Sequence, residues 1–216
     1  VFGGNIHKSW QLEFQNAKFF LKRNEKEEKF LKFEASCLIN LQKYTNKENL
    51  VIPKIIFYLE VNNVELLLME WIDMINVDQQ KLGKGLGEIH VESNKFNPKS
   101  FGYPIKGYIG TTIQIEGWEK NWIKCFINLR IEPQLAILKK NFLEIDIKSK
   151  LKSKIESELH EHEPFNSLVH GDLWSGNVGV NQMNKGIIFD PACWWADCEV
   201  DIAMTRLFGN FRNEFY

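Results

Sequence analysis

The chain of 216 residues has few cysteines, no excess of charge of either sign and no long apolar run. Its net charge of -1 gives no support for broad nucleic-acid binding, which usually needs a basic surface. No apolar stretch is long enough to span a membrane, and the first residues, "VFGGNIHKSW", have the features of neither a signal peptide nor a transit peptide. With 44% hydrophobic and 25% charged residues, the composition is typical of a globular protein. We therefore expect no membrane and no nucleic acid among its partners.

The scarcity of cysteine also limits the possible sites. The four cysteines form no C-x-x-C pair, and His160 and His162 are distant from them in sequence. A zinc site is disfavoured, and a disulfide framework does not suit a chain of this size. The expectation is reduced thiols in or near the core and a cytoplasmic location. The cysteines are Cys37, Cys125, Cys193 and Cys198.

The pattern of apolar residues changes along the chain. Four short segments rich in aromatic and branched residues, "SWQLEF", "AKFFLKR", "KIIFYLEV" and "NVELLLMEW", predict antiparallel strands. Asn62 and Asn63 suit a hairpin turn between the last two segments. From Met74 onward the pattern is mostly helical, with Asp78 as a candidate cap and long helices expected around 118–142 and 146–161. We therefore predict a strand-rich lobe over 1–73 and a helical lobe over 74–216.

One helix predicted between the strands carries a carboxylate on its apolar face. Glu34 lies four residues after Phe30, three before Cys37 and seven before Leu41. A charged group there needs a partner, and Lys22 at the end of the preceding strand can supply one. The alternative is a solvated Glu34 on a slightly irregular face.

A second group of polar residues stands in an apolar frame. In "LVHGDLWSGNVGV", Asp172 is followed five residues later by Asn177, and the buried segment "GIIFD" delivers Asp190. Asp172 can accept the proton of a hydroxyl group, while the oxygens of Asn177 and Asp190 suit Mg²⁺. His170 is better suited to bracing the loop than to reacting. Gly, Asp, Ser and Asn also favour turns, so the segment alone could be a set of turn residues.

Taken together, these features follow the order of parts in the protein-kinase-like fold. More narrowly, the chain resembles the fructosamine kinase, or ketosamine-3-kinase, family, which is related to the aminoglycoside and choline kinases. The resemblance rests on "HGDLWSGN", "FDPACWWADCEVDIAMTRLFGNF", "YIGTTIQIEGWEKNW", "FGGNIHKSW" and "FFLKRN", which extend over almost the whole chain. It implies an α+β, bilobal fold with a small antiparallel-sheet N-lobe, one helix in that lobe and a larger, mainly helical C-lobe. Family members continue with further helices, so we expect part of the C-lobe to lie beyond this chain.

The resemblance also implies roles for individual residues. Asp172 becomes the catalytic base, and Asn177 and Asp190 become the magnesium ligands. Lys22 is expected to touch the phosphates of ATP, oriented by Glu34. The remaining nucleotide-binding positions are the phosphate-covering loop at Gly3 and Gly4 and the linker between the lobes at Glu70, Trp71 and Ile72.

Three further residues are candidates for substrate binding. Trp174 follows the catalytic Asp-Leu directly, so its indole face could pack against a sugar, although a purely structural role is equally open. Asp197 and Glu199 belong to an acidic cluster that would suit a cationic amine. Asp201 in the same cluster could instead cap the last helix or brace the catalytic loop.

Several functions compete for these residues. The first is an ATP- and Mg²⁺-dependent kinase that phosphorylates a ketosamine on a sugar hydroxyl, the 3-hydroxyl if the resemblance holds, for protein deglycation or metabolite repair. The second is a kinase of another small alcohol, such as an aminoglycoside or choline. The third is a non-catalytic nucleotide-binding module, which the presence of Asp172, Asn177 and Asp190 disfavours. The preferred sugar, the free or protein-bound nature of the amine and the oligomeric state stay open.

Overall fold

The computed structural model describes residues 7–75, 79–96, 99–139 and 145–216. Three residues with expected roles lie outside the described part: Gly3 and Gly4, expected to cover the phosphates, and Asp78, expected to cap a helix.

The N-terminal part forms one four-stranded antiparallel sheet with a helix on one face. The elements are β1 (Lys8–Phe14), β2 (Ala17–Asn24), α1 (Phe30–Gln42), β3 (Leu50–Val51), β4 (Ile55–Val61) and β5 (Val64–Glu70), and the strand order in the sheet is β1-β2-β5-β4. Asn62 and Asn63 have φ values of 50° and 63°, the left-handed pair that a tight hairpin turn requires. The four predicted strands and this turn are confirmed.

Helix α1 packs its apolar face against the sheet. Phe30, Phe33, Cys37, Leu38 and Leu41 are all buried, as the helical spacing predicts. Glu34, the charged residue predicted on this apolar face, is buried together with these apolar side chains.

The rest of the chain mixes helices with short strands. In order, it contains α2 (Gln80–Lys95), β6 (Phe101–Tyr103), β7 (Gly107–Ile109), β8 (Thr112–Gln114), β9 (Gly117–Glu119), α3 (Trp122–Phe126), α4 (Glu132–Lys139), α5 (Ile145–Leu159), β10 (Asn166–Val169), β11 (Val178–Val180), β12 (Gly186–Ile188), β13 (Trp194–Asp197) and α6 (Glu199–Phe208). A π-helical turn over Ile127–Ile131 joins α3 to α4. Strands β10-β13-β6-β9 form a second sheet, and β7-β8 form a separate hairpin.

Two expectations for this part need correction. Residues 117–119 form β9, so the predicted helix around 118–142 begins only at Trp122. The strands between 101 and 119 were not predicted at all, because strands of three residues carry too little periodicity to be recognised.

A small three-stranded sheet ties the two parts of the chain together. Strand β3 pairs in parallel with β12, which precedes Asp190 and pairs antiparallel with β11. The segment leading to Asp190 is therefore anchored to the N-terminal part as well as to its own hairpin.

The division into lobes at residue 73 stays a prediction. Within the described ranges, no helix combines the length and apolar character needed to cross a membrane.

Candidate active site

A buried lysine lies between two carboxylates at the base of the cleft. Nζ of Lys22 on β2 donates to Oε1 and Oε2 of Glu34 on α1 at 2.8 and 2.9 Å. It also donates to Oδ1 of Asp190. The ion pair predicted from spacing is therefore present, and it extends to the aspartate delivered by the second motif.

Burial and charge act in opposite directions on this group. Burial disfavours the ammonium form of Lys22, but the carboxylates of Glu34 and Asp190 outweigh burial and hold its pKa above the ordinary value. Burial raises the pKa of Glu34 despite the opposing charge of Lys22. The lysine therefore stays protonated at neutral pH, which its expected role in binding phosphate requires.

The loop after β10 is held by backbone and side-chain hydrogen bonds. The backbone N–H groups of His170 and Gly171 donate to the buried carboxylate of Asp201 at 2.8 and 2.9 Å. Gly171 has φ 81°, and a Cβ there would lie 2.1 Å from the carbonyl oxygen of Ala192, so only glycine fits. His170 lies 2.9 Å through Nε2 from the carbonyl oxygen of Phe189, and its Nδ1 accepts from the backbone of Asp172. Burial lowers the pKa of His170, so the ring braces the loop in its neutral form.

Asp172 and Asn177 are in direct contact within this loop. Nδ2 of Asn177 donates to the backbone oxygen of Asp172 at 2.9 Å and to its Oδ2 at 3.1 Å. The side chain of Asp172 is partly buried, and burial raises the pKa of its carboxyl group. Burial therefore makes the ionised carboxylate of Asp172 a better proton acceptor than an exposed one.

Asp190 is carried into the cleft by a turn directly after β12. Its φ of 55° places a non-glycine residue in the left-handed region, a strained conformation that recurs at functional sites. The backbone N–H of Phe189 donates to the backbone carbonyl oxygen of Asn177 at 3.1 Å. The backbone N–H of Ala192 donates to the backbone carbonyl oxygen of His170 at 2.8 Å. These bonds fix the Asp190 turn against the loop that bears Asp172.

Two adjoining cavities meet at Asp190. The first, of about 320 Å³, is polar at its base and is lined by Lys22, Glu34, Asp172, Trp174, Asn177 and Asp190, among others. The second, of about 230 Å³, is mainly apolar and is lined by Phe20, Met69, Glu70, Trp71, Ile72 and Phe189, among others. Lys22, Asp172, Asn177 and Asp190 thus line the first cavity. The predicted linker residues Glu70, Trp71 and Ile72 line the second, and Asp190 borders both parts of the cleft.

Not every predicted residue lies in this cleft. Asp197 is 3% exposed at the end of β13, where it contacts Nε2 of His162 and accepts from the backbone of Glu199. The residues lining the Asp172 cavity in the described part of the chain include neither Asp197 nor Glu199. Their expected contact with a substrate amine is not supported by this placement, because the carboxylate of Asp197 already holds His162.

Two buried carboxylates contribute more to the site than the sequence indicated. Asp201 accepts from two loop N–H groups and lies 3.0 Å from Nε2 of His90 on α2. Glu65 on β5, at 0% exposure, accepts from the backbone N–H groups of Leu31 and Lys32 at the start of α1. From the sequence, Asp201 was recognised only as a residue that could cap the last helix or brace the loop, and Glu65 was not recognised at all. The signal for Glu65 was an acid enclosed by apolar residues in "VELLLME", where the other acid, Glu70, stands at the end.

The arrangement is that of a protein-kinase-like phosphotransferase, and comparison with known proteins narrows it. The model of the fructosamine kinase family matches residues 1–216. A probable ketoamine kinase of Vibrio parahaemolyticus is 34% identical over 220 residues, covering 99% of this chain and 74% of that protein. A probable ketoamine kinase of Vibrio vulnificus is 31% identical with the same two coverages.

Solved structures agree on the fold. A candidate fructosamine-3-kinase of Haemophilus somnus 129PT superposes with a TM-score of 0.86 at 26% identity, covering all of this chain and 72% of that one. The aminoglycoside phosphotransferase APH(4)-Ia, in a ternary complex with AMP-PNP and hygromycin B, superposes with a TM-score of 0.59 at 14% identity, covering 94% of this chain and 69% of that one. At that identity the likeness concerns the fold alone.

The chain belongs to the fructosamine kinase family. It is an ATP-dependent phosphotransferase with an alcohol group as acceptor, and the predicted α+β, protein-kinase-like fold is confirmed.

Proposed function

We propose that this kinase phosphorylates ketosamines, the sugar adducts of amines, on a sugar hydroxyl, with the 3-hydroxyl as the acceptor group. The observation that supports this most strongly is the convergence of Lys22, Asp172, Asn177 and Asp190 on one cavity. The names of the related proteins, ketoamine kinase and fructosamine-3-kinase, supply the class of acceptor. A phosphate at this position would make the adduct unstable, which fits protein deglycation or metabolite repair.

The reaction needs a base beside the acceptor hydroxyl. Asp172 takes the hydroxyl proton while the substrate oxygen forms a bond to the γ-phosphorus of ATP. The bond between that phosphorus and the bridging oxygen to the β-phosphate breaks, and ADP leaves. Lys22 neutralises phosphate charge, and Glu34 keeps the ammonium group in position. The adenine base occupies the apolar cavity at Glu70, Trp71 and Ile72.

The oxygens at the base of the cleft suit Mg²⁺. Because Nδ2 of Asn177 is held by Asp172, its amide oxygen Oδ1 is left for a cation, and Asp190 adds a carboxylate. The described residues contain no cluster of three His, Cys, Asp or Glu side chains arranged to hold a metal. Two protein ligands nevertheless fit this ion, because Mg²⁺ commonly takes its other ligands from phosphates and water. When bound, Mg²⁺ would neutralise charge on the transferring phosphate.

Trp174 is the proposed contact for the sugar. It lines the Asp172 cavity, and its side chain is 39% exposed, with its ring 5.9 Å from that of Phe208. A partly exposed indole beside the base offers a flat apolar surface to a sugar ring.

A panel of acceptors tests the proposal. The purified protein is incubated with ATP, Mg²⁺ and one acceptor at a time: fructosamine, ribulosamine and erythrulosamine adducts, the free sugars, an aminoglycoside and choline. We expect ADP formation with at least one ketosamine and little with its free sugar, and the product should carry phosphate on the 3-hydroxyl. Faster turnover of the aminoglycoside or choline would favour the alternative, a kinase of another small alcohol.

A further inference from the structure

A third, smaller cavity lies next to the proposed acceptor site and is not used by the mechanism above. It lies between the β7–β8 hairpin and the segment Ala192–Trp194, and its wall includes the polar side chains of Tyr103, Gln114 and Arg130. Phe33 and Ala192 line both this cavity and the one that contains Asp172. The two spaces are therefore neighbours that share a wall.

The guanidinium group of Arg130 forms part of the wall of this cavity. Its guanidinium carbon lies 4.0 Å from the ring centre of Trp194, and its Nη1 donates to the carbonyl oxygens of Ile115 and Leu129 at 3.2 and 2.8 Å. No ion pair joins it to a carboxylate among the described residues. Burial lowers its pKa to about 10, which reflects the cost of holding this charge away from water.

The unused edge of the guanidinium has the geometry that recognises a carboxylate. Nε is buried and has no hydrogen-bond partner, and in the described part of the chain no bond from Nη2 is found either. Nε–H and Nη2–H point in parallel, and such a pair binds the two oxygens of a carboxylate side by side. A buried donor left without a partner is costly, so the site favours a ligand that satisfies it.

The position of Arg130 relates it to the reacting groups. The ring of Trp194 is 3% exposed and touches the catalytic loop, because a Cβ on Gly171 would lie 3.3 Å from its Cδ1. Arg130 packs on the same ring. The cavity has room for only about one water molecule, which excludes a sugar ring or a nucleotide and leaves space only for the small end of a ligand.

The chemistry of a ketosamine places a carboxylate within reach when the amine comes from an amino acid. Five bonds separate C3 of the sugar from the α-carboxylate carbon, a span of roughly 6 Å. Resting on the function proposed above, we propose that Arg130 binds the α-carboxylate of the acceptor, so that the preferred substrates are ketosamines of free amino acids. An adduct on the side chain of a protein lysine has no such group at this distance.

The test compares two acceptors with the same sugar: the ketosamine of glycine and the ketosamine of glycinamide, in which a neutral carboxamide replaces the carboxylate. For the intact wild-type protein, we expect kcat/KM to be about 10-fold or more higher for the glycine adduct, because a charged bidentate pair is lost with the amide. Arg130→Met should reduce this ratio to about one, while kcat/KM for the glycinamide adduct and KM for ATP stay nearly unchanged. Arg130→Lys, which keeps the charge but not the fork, should give an intermediate ratio.

Arg206→Met is the matched control, since Arg206 also lies over an aromatic ring, that of Tyr216, but away from this cavity. It should keep the wild-type ratio. Equal use of the two acceptors by the wild type would overturn the proposal, as would an equal loss of both in Arg130→Met, which would assign Arg130 a purely structural role. If neither adduct were phosphorylated, the proposed function would fail, and thermal shifts with the two adducts would still decide the role of Arg130.

Discussion

At the scale of the single residue, Asp172 illustrates how surroundings set a chemical role. Its carboxylate is partly buried and accepts one hydrogen bond from Asn177, and burial raises its pKa above the ordinary value. Asp190 faces the same cavity, but its carboxylate is paired with the ammonium group of Lys22. Two aspartates in one cleft are therefore suited to two tasks, proton acceptance and cation binding.

The raised pKa of Asp172 leads to a pH prediction. A base works only when ionised, so kcat/KM for a ketosamine should fall as the pH decreases through a pKa above the ordinary value of about 4. The profile is measured with ATP saturating, and circular dichroism at each pH verifies that the protein stays folded. The residual activity of Asp172→Asn should lack this acidic limb. A profile that stays flat to below pH 4 in the wild type would contradict the assignment.

For Asp190, the prediction concerns nucleotide affinity. Asp190→Ala should weaken ATP binding in Mg²⁺ more than in EDTA, because the variant loses a ligand of the ion. Calorimetric titration of ATP in both buffers measures the difference. Equal ATP affinity of the wild type with and without Mg²⁺ would count against a magnesium site at Asn177 and Asp190.

Trp174 should affect the acceptor and not the nucleotide. We expect Trp174→Ala to raise KM for a ketosamine about 2- to 10-fold, the usual range for loss of one aromatic contact, with KM for ATP nearly constant. Trp118→Ala serves as the control, since Trp118 is similarly exposed, at 44%, on β9. Kinetics with varied acceptor at saturating ATP give both constants. An unchanged acceptor KM would remove Trp174 from the substrate site.

At the scale of the element, helix α1 is positioned by a carboxylate from the sheet. Glu65 accepts from the N–H groups of Leu31 and Lys32, from Nδ2 of Asn24 and from the hydroxyl of Tyr58. The first turn of a helix has N–H groups without intrahelical partners, and an anion there is favourable. Because α1 carries Glu34, this contact also fixes the partner of Lys22.

Glu65→Gln should therefore destabilise the protein and weaken ATP binding. We expect a loss of about 1–3 kcal/mol in the free energy of unfolding, because an amide cannot accept all four bonds and leaves buried donors unsatisfied. Urea denaturation measures it. Glu60→Gln, on the exposed end of the same sheet, should change stability little. A stability and an ATP affinity equal to those of the wild type would show that Glu65 does not position α1.

The same element shows what sequence can and cannot predict. The burial of Phe30, Phe33 and Leu41 follows from helical spacing, and the Lys22–Glu34 pair follows because a carboxylate on that face needs a partner. Glu65 was missed because its partners are backbone groups brought close only by tertiary packing. The surroundings of Asp197 were not foreseen for a related reason. An acidic cluster in sequence does not reveal that His162, 35 residues away, holds its carboxylate.

At the scale of the whole molecule, the cleft depends on contacts between distant segments. Strand β3 pairs with β12, and Asp201 on α6 holds the loop at His170 and Gly171. The order of the main strands and of α1 could be predicted from the sequence, and the resemblance supplied the identity of the catalytic loop. The short strands β6 to β9 could not be predicted, because their sequences lack a clear period. Three of them, β6, β7 and β8, contribute residues to the wall of the Arg130 cavity.

The measurement that tests the account most directly is phosphate transfer to a ketosamine by Asp172→Asn. This variant keeps the shape of the side chain but removes its capacity to accept a proton. We predict that the transfer rate falls by about 10²- to 10⁴-fold while the dissociation constant for ATP changes little. A transfer rate equal to that of the wild type would contradict the assignment of this cleft as the site of phosphoryl transfer.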